Sequence, residues 1–161
     1  ITMFFIDISL TRKEVDNMSE KINRGKLVEG GFKEYGTIEQ LEEALLYQEV
    51  KKIDEHEIIL KNGARITIEC SESDCCAGGG GLFEYSDYDT PIDAVITDFK
   101  IHEPIDVPDG DTVVRRNTIT LFHNRNPIVN ANATTDAGNG GYYYSVTSLV
   151  VDGIHFPFVD A

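Results

Sequence analysis

The pattern of apolar and polar positions predicts β-structure for most of the chain after residue 50. Two short apolar runs, Glu57–Leu60 and 65–69, flank Asn62-Gly63, the pair preferred in two-residue type I′ turns, and so predict a β-hairpin. In this hairpin Lys61 would pair with Ala64, and the residues expected to share one buried face are Ile59, Ile66, Ile68 and Cys70. Further strands are predicted over 94–102, 112–124, 127–133 and 142–151.

Helical spacing is confined to the first third of the chain, after a predicted strand over 3–10. Thr11 and Glu14 form one capping-box pattern, and Val15, Met18 and Ile22 follow at helical spacing. A second box, Thr37 with Gln40, opens a helix whose apolar face would contain Ile38, Leu41, Ala44 and Leu45. The pattern therefore predicts an α+β fold in which two N-terminal helices pack on a mainly antiparallel β-sheet.

The length of 161 residues suits one domain, 1–161, with a strand and helices in 1–50 and a β-rich part in 51–161. No apolar stretch is long enough to span a membrane. The apolar run at 3–6 meets Asp7 at once and has no basic flank, so we do not expect a signal peptide.

Charge is strongly acidic and unevenly placed. The chain has 28 Asp and Glu against 14 Lys and Arg, for a formal net charge of −14, which argues against direct binding to nucleic acid. Residues 61–111 carry twelve of the acids and only three of the bases. This excess has three interpretations: it forms a solvated surface, it binds a basic protein partner, or it binds a cation. The acids predicted to contact a partner are Glu72, Asp74, Glu84, Asp87, Asp89 and Asp93.

All three cysteines lie within seven residues, at Cys70, Cys75 and Cys76. An odd, clustered set is a poor disulfide framework, whereas thiolates are good zinc ligands. The three cysteines predict a structural zinc site, with His56 as the fourth ligand and His102 in reserve. The alternatives are buried reduced cysteines, or a nucleophilic cysteine, which the acidic neighbours disfavour.

Two other features have both structural and functional interpretations. The run Gly78-Gly79-Gly80-Gly81 would form a mobile tip or let the backbone approach a ligand closely. Tyr142-Tyr143-Tyr144 would place one or two rings in the core and leave the remainder as an interface anchor. Because no segment assembles a nucleophile, a base and oxyanion donors, we expect a protein that is not an enzyme.

The stretch 60–69 leading into Cys75-Cys76, together with the late stretch 138–146, resembles a family of small phage and prophage proteins. Members of that family carry a strand, a Cys-Cys turn and a late strand of the Asn-Gly-Tyr-Tyr-Ser type. The N-terminal third and the glycine run depart from this pattern. Small acidic phage proteins without catalytic motifs also resemble anti-CRISPR proteins that act on Cas9.

This resemblance implies a stoichiometric inhibitor, in the cytoplasm of an infected bacterial host, that occupies a basic nucleic-acid-binding surface of Cas9 or of a similar protein. The acidic region 66–111 would compete with phosphate charge and hinder nucleic-acid loading. The alternative is a phage structural or accessory protein without anti-defence activity.

Overall fold

The computed structural model describes residues 33–85 and 93–161. One helix, α1, spans Ile38–Leu45, and Asn139–Gly141 forms a single 3₁₀ turn. The strands are β1 Glu34–Tyr35, β2 Val50–Ile53, β3 Glu57–Leu60, β4 Arg65–Ser73, β5 Gly78–Glu84, β6 Asp98–Ile101, β7 Ile105–Asp109, β8 Thr112–His123, β9 Asn126–Asp136, β10 Ser145–Val151 and β11 Ile154–Asp160.

These strands form two sheets that pack face to face. The first sheet has six strands in the order β1-β11-β10-β4-β3-β2, and only its β1–β11 pair is parallel. The second sheet has the order β5-β9-β8-β6, and the first half of β8 also pairs with β7. Since β4 leads directly into β5 through a short turn, the chain passes from one sheet to the other at residues 74–77.

The predicted α+β class is wrong, because the described residues hold one eight-residue helix beside two β-sheets. The sequence pattern concealed β5, whose glycines have no apolar periodicity, and β11, whose Pro157 argues against a strand. The predicted strand at 3–10 and the first predicted helix lie outside the described residues.

The second predicted helix is confirmed, together with its capping box. Thr37 Oγ1 accepts a hydrogen bond from Gln40 N at 3.3 Å, and Gln40 Oε1 accepts one from Thr37 N at 2.8 Å. Both bonds depend only on local sequence, which is why the pattern revealed them. Within the described part of the chain no helix is long and apolar enough to cross a membrane.

The predicted hairpin is present as β3 and β4, but its register differs by one residue. Ile58, not Ile59, lies opposite Ile66, because the loop has three residues and Leu60 N donates to Ala64 O at 2.9 Å. Gly63 has a φ of +92°, as in a three-residue loop that ends in a left-handed residue. Ile58 and Ile66 are therefore fully buried, and Ile59 lies on the other face.

One continuous apolar core fills the space between the sheets and extends under α1. The first sheet contributes Ile66, Leu149 and Phe158, all fully buried, while Phe83 and Ile119 come from the second sheet. Burial of each such side chain contributes about 1.5–3 kcal/mol to folding.

Candidate functional site

The four consecutive glycines form the first four of the seven residues of strand β5, so they are not a mobile tip. They pair with β9 in register, from Gly78 opposite Asp136 to Gly81 opposite Ala133. Alternate glycines have different surroundings. A Cβ on Gly79 or Gly81 would collide with the first sheet or with the backbone of β9, whereas Gly78 and Gly80 have nothing within 4 Å of that position. The glycines therefore permit close packing on one face and leave bare backbone on the other.

A groove of about 920 Å³ follows β5 along this bare backbone. Its walls include Glu55 from the β2–β3 turn, Cys76 from the β4–β5 turn, and residues of β9. Leu82, on the same strand, is half exposed beside it. The absence of side chains at Gly78 and Gly80 is what makes this depression in the sheet.

Among the residues that the structure describes, the edge of β5 opposite β9 is open, and it borders the groove. Among the described strands β5 pairs with β9 alone, and Phe83 N on its other side donates to Glu55 O at 2.9 Å. Amides of an antiparallel strand alternate between its two sides, so Gly79 and Gly81 direct their N–H and C=O groups to the same open side as Phe83. An unpaired strand edge of this kind is a template for another extended chain.

The groove is lined by three carboxylates, Glu55, Glu84 and Asp136, and by no Lys or Arg among the described residues that form it. Glu84 accepts a hydrogen bond from Asn132 Nδ2 at 2.9 Å. The Thr112 hydroxyl and the Gly138 amide both donate to Asp136, and these bonds lower the pKa of its carboxyl. We call this site, with these three carboxylates, the acidic groove.

The six acids predicted to bind a partner are dispersed. Glu84 lies in the acidic groove, and Asp74 is exposed in the turn that precedes β5. Asp93 is almost fully exposed, 3.7 Å from Lys61 Nζ. Asp87 and Asp89 lie outside the described residues. The sixth acid, Glu72, differs from the others in being buried.

Glu72 is only 9% exposed, so it does not belong to an exposed interface. Its carboxylate accepts a hydrogen bond from the Tyr35 hydroxyl at 2.6 Å. Burial is the main reason why the pKa of Tyr35 is raised, and Glu72 adds to the effect. Burial and the same carboxylate also raise the pKa of Tyr144 to about 12. Glu72 therefore belongs to a structural network with two tyrosines, and its predicted contact with a partner stays a prediction.

The predicted zinc ligands are not gathered into one set. Cys75 and Cys76 are exposed with their Sγ atoms 3.3 Å apart, while the Cys70 thiol donates to Glu72 O at 3.3 Å. His56 projects from the β2–β3 turn, and its Nε2 is 3.2 Å from Glu55 Oε1. Across residues 33–85 and 93–161 there is no group of three or more metal-binding side chains. The zinc site therefore remains a prediction.

The tyrosine triplet precedes β10 instead of lying within it. Tyr142 is 86% exposed and packs edge-to-face on Tyr143, with ring centroids 5.4 Å apart. Tyr143 and Tyr144 are half-buried. The exposed Tyr142 ring fits the predicted interface anchor, while Tyr144 joins the Glu72 network.

Sequence reasoning missed a buried polar cluster on the first sheet. Ser71 Oγ lies 2.7 Å from His155 Nδ1 and donates to Ser148 Oγ at 2.6 Å. Ser71 and Ser148 are fully buried, and His155 is 7% exposed. A serine–histidine contact of this length resembles a nucleophile with its base, but the hydroxyl is closed to solvent. The pair thus satisfies buried polar groups within the sheet.

Sequence reasoning also missed Glu55 and Asp136 as groove residues. Glu55 reaches the site because a turn of the first sheet lies over the end of β5, and Asp136 because β9 pairs with the glycines. Neither relation has a local signature, so only the strand order could have placed them there.

Comparison with known proteins gives one family. Residues 37–150 match the family described as a domain of unknown function (DUF7448). No curated protein matches the chain. No solved structure matches it either.

Proposed function

The chain belongs to the DUF7448 family, and we propose that it is a non-enzymatic binding protein whose acidic groove binds a basic surface segment of a partner protein. The observation that carries this proposal is strand β5, which has bare backbone and, among the described strands, one open edge, beside three carboxylates. An acidic surface of this kind is complementary to the lysines and arginines of a nucleic-acid-binding site.

The mode of binding follows from the two components of the groove. The outward N–H and C=O groups of Gly79 and Gly81 pair with the backbone of an extended partner segment, as in β-strand addition. Lys or Arg side chains of that segment reach Glu55 and Glu84, which lie near one end of β5, and Asp136, which lies at the other. Backbone pairing supplies affinity, and the carboxylates select for positive charge.

The proposed partner is Cas9 or another basic nucleic-acid-binding protein, and the proposed setting is the cytoplasm of an infected bacterial host. This part of the proposal draws on the resemblance to anti-CRISPR proteins. The groove supports this part only through its negative charge. An acidic protein bound to a basic nucleic-acid-binding surface competes there with the phosphates of the nucleic acid. Binding would hinder the loading of nucleic acid without any chemical step.

The non-enzymatic nature of the protein is part of the same proposal. Cys76 is the one thiol among the described residues that line the groove, and no histidine lies beside it there. The buried Ser71–His155 pair has no access to a substrate. Neither site offers an exposed nucleophile beside a base.

A cleavage assay tests the proposal directly. Purified protein, added in excess to guide-loaded Cas9 or before guide loading, is expected to reduce DNA cleavage, and the effect should weaken as salt rises. Glu55→Lys with Glu84→Lys should abolish inhibition. The control, Glu43→Lys with Asp98→Lys, changes net charge equally at exposed positions that do not line the groove. Unchanged cleavage with wild-type protein at low salt removes Cas9 as the partner.

The structural zinc predicted for Cys70, Cys75, Cys76 and His56 is a separate proposal. Elemental analysis of protein purified without chelator tests it. About one zinc per chain supports the site, and metal-free, folded protein removes it. The acidic groove does not depend on the outcome.

A second candidate function is a phage structural or accessory protein. The two-sheet architecture favours it, because double-sheet domains recur in viral capsids, although this is an analogy of fold. Mass spectrometry of purified virions separates the two candidates. A structural protein is present in the particle, whereas an inhibitor appears only in the infected cell.

A further inference from the structure

The β4–β5 turn presents two thiols in contact. Ala77 N donates to Asp74 O at 3.1 Å, which closes a four-residue turn with Cys75 and Cys76 at its central positions. Both side chains are exposed, and their Sγ atoms are 3.3 Å apart. Cys76 also borders the acidic groove.

The backbone of Cys76 is held in an unusual conformation. Its φ is +67°, in the left-handed region that non-glycine residues seldom adopt. The segment from Gly138 to Tyr144 packs against this turn. Asp74 N donates to Tyr144 O at 2.8 Å, and a Cβ on Gly138 would stand 2.7 Å from Cys76 O. Such conformations persist where the surroundings over-determine them, and they cluster at functional sites.

We propose that Cys75 and Cys76 form a redox-active dithiol, which closes to a disulfide between adjacent residues by exchange with a small disulfide such as oxidised glutathione. The thiolate of one cysteine attacks one glutathione sulfur, forms a mixed disulfide and releases the first glutathione thiolate. The thiolate of the other cysteine then attacks the protein sulfur of this mixed disulfide and releases the second. The dithiol loses two electrons and two protons, and one small disulfide becomes two thiols.

The contact between the two thiols places each within reach of the other. Their Sγ atoms are 3.3 Å apart and both side chains are exposed, so glutathione can reach either thiol and the second thiol is in position to complete the exchange. Cys70 takes no part, because it is half-buried and its thiol donates to Glu72 O.

The product is expected to be readily reduced. Adjacent Cα atoms are about 3.8 Å apart, below the span of about 4.4–6.8 Å that most disulfides adopt. Strained and exposed disulfides have higher reduction potentials and are the labile, regulatory ones. Oxidation would also reshape the turn at one end of the acidic groove. The inference does not rest on the acidic groove, since the thiol chemistry needs no partner, but it requires both thiols to be free of the proposed zinc.

Mass spectrometry tests the inference on the full chain. Reduced protein is treated with oxidised glutathione in the presence of a chelator, quenched with iodoacetamide and analysed intact and after digestion. We expect a product lighter by two hydrogens with only Cys70 alkylated, reversed by dithiothreitol. Cys76→Ser should trap glutathione on Cys75, and Cys70→Ser should close like the wild type.

Three results overturn the inference. They are a stable glutathione adduct on the wild-type chain, a disulfide that includes Cys70 or a second chain, and full alkylation of all three thiols after the oxidant. Far-UV circular dichroism of each variant verifies that the fold is retained, so a failure to close is not a failure to fold.

Discussion

Gly79 lies directly against Thr147 of the opposite sheet: a Cβ on Gly79 would stand 2.1 Å from Thr147 Oγ1. The same hydroxyl donates to Thr134 O on β9 at 3.3 Å, so it bridges the two sheets at this point. The glycine run therefore lets one edge of the second sheet pack closely on the first. This contact on one face and the bare backbone on the other together explain why the acidic groove lies where it does.

Gly79→Ala is expected to destabilise the protein by about 1–3 kcal/mol, the usual cost of overpacking. The added methyl group has no free space, because Thr134 O would also lie 2.8 Å from it. Gly80→Ala is the matched control and should change stability by less than about 1 kcal/mol, since nothing lies within 4 Å of its Cβ position. Urea denaturation followed by fluorescence or circular dichroism measures both. Equal midpoints for the two variants would contradict the packing described.

Stability is expected to fall as the pH drops below about 6.5. Burial lowers the pKa of His155, with Glu69 opposing and Lys33 adding to the effect. The unfolded chain therefore binds a proton at higher pH than the folded chain, and the free energy of unfolding falls by up to about 1.4 kcal/mol per pH unit below the unfolded pKa. The fall ends once the pH is below the folded pKa.

Urea titrations between about pH 7.5 and 5 test this expectation. His155→Gln should flatten the pH dependence, whereas His56→Gln should retain it, because the His56 side chain is 73% exposed. Constant stability of the wild-type protein across this range would contradict the lowered pKa of His155.

Substitution of Glu72 is expected to lower stability, whereas substitution of Glu84 is expected to weaken binding. Glu72→Gln should cost about 1–3 kcal/mol, because it weakens the buried acceptor of the Tyr35 hydroxyl. Glu84→Gln should leave stability nearly unchanged, since the side chain is exposed, and should weaken binding of a basic ligand. The reverse pattern, with Glu72 controlling binding, would return Glu72 to the interface predicted from sequence.

Gly80→Val is expected to block the acidic groove without altering its charge. The position has open space around it, and a β-branched residue suits a strand, so the fold should be retained. The valine side chain would cover bare backbone in the groove and reduce the affinity for a basic peptide. Unchanged affinity, measured by calorimetry on a folded variant, would place the binding surface elsewhere.

The sequence predicted best what depends on neighbours along the chain. The Thr37–Gln40 capping box and the turn at Gly63 each involve residues a few positions apart. The hairpin register was wrong by one because Asn62-Gly63 suits two loop lengths, and only the pairing of Leu60 with Ala64 decides between them.

Features that depend on distant residues could not be predicted in the same way. Ser71 and His155 are 84 positions apart, and Glu55 reaches Phe83 only because two sheets pack together. Glycine has no side chain that could signal which face of a strand is buried, so β5 had no apolar pattern. The acidic bias was visible from composition, but the division between buried Glu72 and exposed Glu84 required the strand positions.

The amides of Gly79 and Gly81 provide the most direct test of the acidic groove. Isotope-labelled protein is titrated with a short peptide of alternating Lys and Thr, with a Glu/Thr peptide as control, and followed by amide NMR and hydrogen exchange. We expect the basic peptide alone to shift these two amides and to slow their exchange. Binding that leaves both amides unchanged, or equal effects from the acidic peptide, would rule out β5 as the binding surface.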